Sequence, residues 1–198
     1  MEFYASLRSP YTALIFDHVV NFAKSVDLRI DLKPVLPMVM RGVSLTKEKG
    51  FYIFSDAARE ARALGDWFGP WYDPIGEPVR RAYSLYPWAK SQGKHLEFFN
   101  AFLSAAFKEG INTMSDRGLS KVVRAAGLDW AEARKLVGSS GWEEELEENR
   151  LRMYAFGSWG VPSFRVLDSK GSEVTWAWGQ DRLWFIEKEI VAAKNKSF

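Results

Sequence analysis

The sequence predicts an α/β protein in which both ends of the chain build one four-stranded layer and a block of helices interrupts that layer. Strand, helix and strand signals open the chain, and strand, strand and helix signals close it. Helical spacing of apolar residues dominates between them. We therefore predict a layer formed by residues 1–38 and 158–198 and an all-helical insertion domain formed by residues 39–157.

The opening segment predicts two parallel strands joined by a helix. Residues 2–7 are short and aromatic, and residues 28–35 alternate apolar and polar side chains, as strands do. Ser9 and Pro10 stand between them, a preferred N-cap followed by a preferred first helical residue. Because a parallel pair needs a crossover connection, this order implies a right-handed β-α-β unit.

The insertion is predicted to contain six helices, which helical periodicity and capping residues or glycines mark. They cover residues 55–65, 78–90 and 96–109, a segment from Ser115 or Asp116 to Gly127, residues 129–138, and a segment from Ser140 or Gly141 to Gly157.

The end of the chain predicts a β-hairpin followed by a helix. Residues 162–167 and 173–178 have the composition of strands, and the Asp-Ser-Lys-Gly run between them is typical of a turn. Gly179, Gln180 and Asp181 then lead into a final helix. The hairpin supplies the third and fourth strands of the predicted layer.

Composition excludes several classes of chemistry. The chain has no cysteine, so it offers no disulfide, thiolate metal site or cysteine nucleophile, and thiol chemistry needs a thiol from outside. With only two histidines, we expect no metal site. The 27 basic and 25 acidic residues give a net charge of +2, which predicts no nucleic-acid partner.

The expected location is the cytoplasm. No apolar stretch approaches the ~18 residues of a membrane span, so we expect no membrane partner. The first residues include Glu2 and lack the basic segment that opens a secretion signal.

Aromatic residues are unusually frequent, with nine Trp, seven Tyr and fourteen Phe. They indicate either a large aromatic core or a pocket for a flat ligand. Trp67, Phe68, Trp71 and Tyr72 in the insertion are candidates for the wall of such a pocket.

Three short segments fall where strands meet helices in the predicted layer, and ligands of open α/β sheets bind beside such loops. The segments are Ser9-Pro10-Tyr11, Gly160-Val161-Pro162 and the run from Trp178 to Arg182. In their order and spacing they resemble the family of 2-hydroxychromene-2-carboxylate isomerases and kappa-class glutathione transferases.

The resemblance covers nearly the whole chain. It rests on S-P-Y at residues 9–11, W-G-V-P-S-F at 159–164 and W-G-Q-D-R at 178–182, with support from K-G-F-Y at 49–52, Asp56, Arg59 and A-G-L-D at 126–129. It implies a thioredoxin-like, disulfide-oxidase-like fold with a helical insertion, and glutathione as the cofactor.

The resemblance implies that Ser9 is the catalytic residue. Taken alone, Ser9 is an N-cap, and it is a poor nucleophile because no base is visible near it. A helix N-terminus favours an anion, and a serine hydroxyl there can donate a hydrogen bond to a thiolate. The resemblance thus implies that Ser9 lowers the pKa of the bound glutathione thiol.

Other residues are implied to hold glutathione. The Val161–Pro162 bond would be cis and would turn the Val161 backbone toward the cysteinyl part, although a proline also commonly begins an edge strand. Gln180 and Asp181 would hold the γ-glutamyl end, and helix capping is their alternative role. Close backbone approach is the implied role of Gly179, whereas Trp178 is either a core residue or a pocket wall.

Tyr11 and Lys49 are the implied substrate contacts, with a solvated loop lysine as the alternative for Lys49. One stretch departs from the family. Members commonly carry a longer G-N-x-P-P-like segment before this lysine, and residues 41–46 lack it. The glutathione half of the site therefore matches the family, whereas the acceptor half is altered.

The resemblance implies a glutathione-dependent isomerisation of an aromatic enone acid. The alternatives are a transferase that conjugates glutathione to an electrophile, and a cysteine-free binding protein without catalysis. The expected partner is a small aromatic or electrophilic substrate, and the assembly is left open between a monomer and a homodimer.

Overall fold

The computed structural model describes residues 1–65 and 68–195. Its strands are β1 (Glu2–Ala5), β2 (Asp31–Pro34), β3 (Ser163–Leu167) and β4 (Glu173–Trp178). They form one sheet in the order β2-β1-β3-β4, with β1 parallel to β2 and antiparallel to β3, and β3 antiparallel to β4. The predicted order of elements, with both ends of the chain in one sheet, is confirmed.

The helices differ from the predicted ones mainly at their ends. In the described part of the chain they are α1 (Pro10–Ser25), α2 (Lys47–Ala63), α3 (Glu77–Ser91), α4 (His95–Phe107), α5 (Asp116–Ala125), α6 (Trp130–Ala133), α7 (Trp142–Ala155) and α8 (Leu183–Asn195). Short 3-10 turns cover Met38–Arg41 and Gln180–Arg182. Helices α2 to α7 thus lie between β2 and β3 along the chain.

Two predicted boundaries were wrong. Helix α2 begins at Lys47 rather than near residue 55, because the Thr46 Oγ1 accepts a hydrogen bond from the Lys49 backbone N–H at 3.2 Å and so caps an earlier start. Helix α6 ends at Ala133 and does not continue to residue 138. Beyond it the backbone N–H of Leu136 bonds the carbonyl three residues earlier, as in a tightening turn.

One face of the sheet packs on α1 and α8 and merges with the helical block. Phe3 of β1 stacks on Phe164 of β3 with ring centroids 5.1 Å apart, and it also contacts Phe16 of α1. Phe16 in turn stacks on Phe99 of α4 at 5.3 Å. All four rings are fully buried, so the sheet and the inserted helices share one hydrophobic core.

The opposite face of the sheet is covered by α7. Tyr4 and Val35 are buried there against Met153, and the Tyr4 ring lies 5.2 Å from that of Phe156. Tyr4 also donates a hydrogen bond to the buried Glu2 carboxylate at 2.9 Å. Within the described residues, no helix combines the length and the apolar character needed to cross a membrane.

A buried tyrosine of α3 joins two strand ends, and its loss should destabilise the fold. The Tyr83 hydroxyl accepts from the Leu7 backbone N–H and donates to the Val35 carbonyl, both at 3.1 Å. Tyr83→Phe leaves both buried groups unpaired, so we expect the free energy of unfolding to fall by ~1–3 kcal/mol. Urea unfolding measures this change. Tyr154→Phe is the matched control, because the exposed Tyr154 hydroxyl accepts from arginine side chains such as Arg41 rather than joining buried backbone groups; equal stabilities of the two variants would contradict the prediction.

Candidate functional site

The sheet topology brings the three predicted segments to one edge. Strand β1 ends at Ala5, just before the turn that leads to Ser9, and β3 begins at Ser163 in register with Tyr4. Strand β4 ends at Trp178, which is the partner of Ser163. The loops before β3 and after β4 therefore lie beside the N-terminus of α1.

Ser9 begins α1 and keeps its hydroxyl proton available. Its Oγ accepts a hydrogen bond from the Thr12 backbone N–H at 3.1 Å, which is the geometry of an N-cap. In the part of the chain that the structure describes, no acceptor lies within hydrogen-bond distance of this hydroxyl. Because Ser9 is only half-buried, the hydroxyl can cap the helix and donate to a ligand at the same time.

Thr12 is a residue that the sequence analysis missed. It lies three residues after Ser9 in the first turn of α1, is fully buried, and its Oγ1 has no hydrogen-bond partner among the described residues. Its spacing from Ser9 was the available signal, although spacing did not indicate burial. The first turn of α1 therefore carries two hydroxyls with unused hydrogen-bonding capacity.

The loop before β3 presents an unpaired backbone. The Val161–Pro162 peptide bond is cis. Pro162 is buried, and its carbonyl accepts from the Gly179 backbone N–H at 2.9 Å, which ties this loop to the end of β4. Neither the N–H nor the carbonyl of the half-buried Val161 is hydrogen-bonded within residues 1–65 and 68–195.

The loop after β4 folds an acidic side chain over a glycine. Gly179 has φ of +115°, a conformation that glycine adopts freely, and a Cβ added there would lie 2.5 Å from the Asp181 Oδ1. Asp181 also accepts from the Arg182 Nη1 at 2.7 Å, and both side chains are exposed. A ligand ammonium group at Asp181 would therefore compete with Arg182.

Trp178 lies outside the core. Its indole is 41% exposed, and the ring centroid lies 4.5 Å from that of Trp159. A Cβ added at Gly160 would lie 2.5 Å from the Trp178 ring, so only glycine leaves room for this packing. Of the two alternatives for Trp178, the core position is excluded.

Tyr11 is engaged by a residue of the insertion. Its hydroxyl donates to the Asp56 carboxylate of α2 at 2.8 Å, and Asp56 also accepts from Arg59 at 3.0 Å. Burial, and then the hydrogen bond to Asp56, raises the pKa of Tyr11 above its ordinary range. The same bond, followed by Arg59, lowers the pKa of Asp56. The sequence indicated Tyr11 and Asp56 as parts of two separate motifs, but it did not indicate that the two side chains are in contact.

Lys49 lies in the first turn of α2 rather than in a loop, and it is exposed. Its ammonium has no ion pair in the described part of the chain. Arg8, the cation that precedes Ser9 in the sequence, is already bound to Asp73 by two hydrogen bonds of 2.7 Å each.

The candidate aromatic wall is a packed cluster. Trp71 stacks on Phe54 of α2 at 4.0 Å and contacts Phe107 of α4 at 5.1 Å, and Phe68 contacts both Trp71 and Phe107. The Tyr72 backbone is bound to the Ala106 carbonyl. Trp67 lies outside the described residues.

A cavity lies elsewhere along the sheet. It has a volume of about 540 Å³ and runs along the free edge of β4 beside the start of α8. Of the predicted site residues it touches only Trp178.

Solved structures share this architecture. The chain is similar to a 2-hydroxychromene-2-carboxylate isomerase, with a TM-score of 0.77 and 20% identity over 99% of this chain and 96% of that chain. It is similar to the cytosolic disulfide reductase DsbM from Pseudomonas aeruginosa, with a TM-score of 0.72 and 16% identity over 98% and 97% of the two chains. A structure of that reductase with GSH gives a TM-score of 0.62 and 15% identity over 83% and 84%. Identities this low establish the fold alone.

Sequence comparison places the chain in a family. No curated protein sequence matches it. The family model described as DSBA-like thioredoxin domain matches residues 1–191, which include strands β1 to β4 and most of the last helix. The β-α-β and β-β-α halves of the sheet, the helices between them and the match over almost the whole length lead to one conclusion. The chain belongs to the DSBA-like thioredoxin domain family.

Proposed function

We propose that the protein binds glutathione at the edge of the sheet that carries Ser9 and uses the glutathione thiolate as its catalytic group. The observation that carries this proposal is the Ser9 hydroxyl, which caps α1 through its oxygen and keeps its proton free. A free donor at a helix N-terminus favours a bound anion. Since the chain contains no cysteine, the reactive thiol must come with the ligand.

The other predicted residues suit the rest of the tripeptide. The unpaired N–H and carbonyl of Val161 can pair with the cysteinyl backbone as an added strand does. Gln180 and Asp181 lie at the start of the last helical segment, where backbone N–H groups attract the γ-glutamyl carboxylate. Asp181 binds the γ-glutamyl ammonium after exchanging its partner Arg182.

The fold neighbours support glutathione and isomerisation. One similar structure is a 2-hydroxychromene-2-carboxylate isomerase, and another holds GSH on a cytosolic disulfide reductase. For this chain we propose an isomerisation of the same type, in the cytoplasm. The glutathione sulfur adds to a conjugated double bond of an aromatic enone acid, and that bond becomes single and rotates. Elimination of the thiolate restores the double bond, so glutathione is released unchanged and no electrons are transferred.

Conjugation of glutathione to an electrophile is the second candidate. It is favoured by residues 41–46, which lack the Asn-bearing segment of the isomerase and kappa-class transferase family that the sequence resembles. Here Arg41 instead donates to the Leu36 carbonyl and to the Tyr154 hydroxyl of α7, so its side chain is already bound within the fold. An altered acceptor half is compatible with addition to the electrophile without the later elimination.

Glutathione should stabilise the fold. At about 100 times its dissociation constant, a ligand that binds only the folded state adds ~2.7 kcal/mol to the free energy of unfolding. Titration calorimetry and thermal unfolding with glutathione test the proposal, and Asp181→Asn should weaken binding because it removes the anionic partner of the γ-glutamyl ammonium. A melting temperature that millimolar glutathione leaves unmoved would overturn the cofactor assignment and favour a binding protein without catalysis.

A further inference from the structure

One hydrogen bond joins the first turn of α1 to the inserted helix α2. The Tyr11 hydroxyl donates to the Asp56 Oδ2 at 2.8 Å across 45 residues of sequence. The pKa of Asp56 is lowered, first by this bond, so the carboxylate is ionised at neutral pH. Burial raises the pKa of Tyr11, so its hydroxyl remains a donor. The bond is therefore fully formed under ordinary conditions.

Asp56 lies between the mostly exposed first half of α2 and the second half, which packs in the core. The residues that follow it, Ala57 and Ala61, are buried in the shared core. Residues 47–49 and 51–52, which precede it, are all exposed. The first half of α2 therefore has little burial: it is held by the stacking of Phe54 on Trp71 and by the bond from Tyr11 to Asp56, which ties it to α1.

Lys49 lies on the same face of α2 as Asp56. They are seven residues apart in the sequence. At 100° per residue, the rotation between them is about 20° short of two full turns, so both side chains leave the helix on the same side, about 10 Å apart along its axis. Since Asp56 faces the first turn of α1, Lys49 faces in that direction too. The orientation of Lys49 depends on the rotation of α2, which the Tyr11–Asp56 bond sets.

The cations around the site differ in whether they already have a carboxylate partner. Arg8 is paired with Asp73, Arg59 with Asp56, and Arg182 with Asp181. Within the described ranges, the ammonium of Lys49 has no carboxylate partner. Of these four cations, Lys49 is thus the one that can bind a ligand anion without breaking an ion pair seen in the described residues.

We infer that Asp56 is a positioning residue for the ligand site: by binding Tyr11 it holds α2 so that Lys49 points toward the Ser9 edge and binds a carboxylate of glutathione. The inference rests on the proposed function. Asp56 itself does not touch the ligand, because Tyr11 and Arg59 already occupy its carboxylate.

The first test needs no ligand. Asp56→Ala and Tyr11→Phe should each accelerate amide hydrogen exchange in residues 47–54 by tenfold or more, because each removes the hydrogen bond that ties the first half of α2 to α1. Glu60→Gln is the matched control, since Glu60 lies one turn further along α2, near Tyr11 but without a hydrogen bond to it. Equal exchange in wild type and both anchor variants would overturn the inference.

The second test is a double-mutant cycle on glutathione affinity, measured by calorimetry at two salt concentrations. Lys49→Met and Asp56→Ala should each weaken binding by about threefold to tenfold and reduce its salt dependence. The double variant should be no weaker than Lys49→Met, because Asp56 acts through Lys49. Additive losses would overturn the positioning role while leaving the proposed function intact. A wild-type protein that binds no glutathione would overturn the proposed function, and the role of Lys49 with it.

Discussion

Replacing Ser9 with alanine is expected to reduce glutathione-dependent turnover near neutral pH by roughly tenfold to a hundredfold while sparing most of the binding. A hydrogen bond to a charged group contributes ~1.5–3 kcal/mol, and each 1.36 kcal/mol changes a rate tenfold. The Ser9 hydroxyl is a half-buried donor with no acceptor among the described residues at the N-terminus of α1, whereas the other unpaired hydroxyl, that of Thr12, is fully buried. Val161 and Asp181, which hold the rest of the tripeptide in the proposed complex, are unchanged.

The loss of turnover should be explained by a higher pKa of the bound glutathione thiol. Without the hydroxyl, the pKa of the bound glutathione thiol should rise by ~1–2, at 1.36 kcal/mol per pKa unit. Turnover should recover partly as pH rises and the thiolate forms without help. Ultraviolet absorbance of the thiolate, titrated against pH in wild type and Ser9→Ala, measures the change directly.

A control must separate capping from catalysis, because Ser9→Ala also removes an N-cap, at a cost of ~1 kcal/mol in stability. Ser115→Ala is matched to it, since the Ser115 Oγ caps α5 by accepting from the Gly118 backbone N–H at 3.0 Å. It should lower stability by a similar amount and leave the thiol titration unchanged. If the Ser9→Ala and wild-type titrations coincide, Ser9 acts only as a cap.

The order of strands and helices could be predicted because most elements bury one face. Strand β4 has the predicted bounds, and the helices after α2 begin within a few residues of the predicted positions. The first half of α2 could not be predicted in this way. Its aromatic residues Phe51, Tyr52 and Phe54 are exposed rather than buried, so the apolar pattern does not identify a core-facing side. The capping Thr46 was the signal that remained.

The site residues could be named from short motifs, but their partners could not. Sequence spacing within a helix relates Asp56 to Arg59, whereas the bond between Asp56 and Tyr11 depends on how α2 packs against α1. The same limit applies to Lys49: only the folded structure shows that, among the described residues, Arg8 and Arg59 are paired with carboxylates and Lys49 is not. Local sequence predicts the type of side chain at the site, and tertiary packing decides which of them is available.

Two substitutions in the first turn of α1 should create a redox activity that wild type lacks. Wild type contains no cysteine and should not reduce insulin with dithiothreitol faster than dithiothreitol alone. Residues 9 and 12 flank one turn, and the Ser9 Oγ lies 3.1 Å from the Thr12 backbone nitrogen. Their side chains therefore start within the few ångströms that a disulfide spans. Thr12 accepts a thiol readily, because its site is buried and its hydroxyl has no hydrogen bond to lose.

The double variant Ser9→Cys/Thr12→Cys should accordingly catalyse insulin reduction with dithiothreitol. The dithiol reduces an insulin disulfide and becomes a disulfide itself, and dithiothreitol restores it. The helix N-terminus lowers the pKa of a thiol at position 9, which makes that thiol the attacking group. Each single variant should be much slower than the double variant, because the mixed disulfide of a lone thiol must wait for dithiothreitol from solution instead of being resolved by an adjacent thiol. A folded double variant that forms the intramolecular disulfide yet reduces insulin no faster than wild type would show that this turn does not activate a thiol. That result would also remove the physical basis for a glutathione thiolate at Ser9, since both depend on the same helix N-terminus.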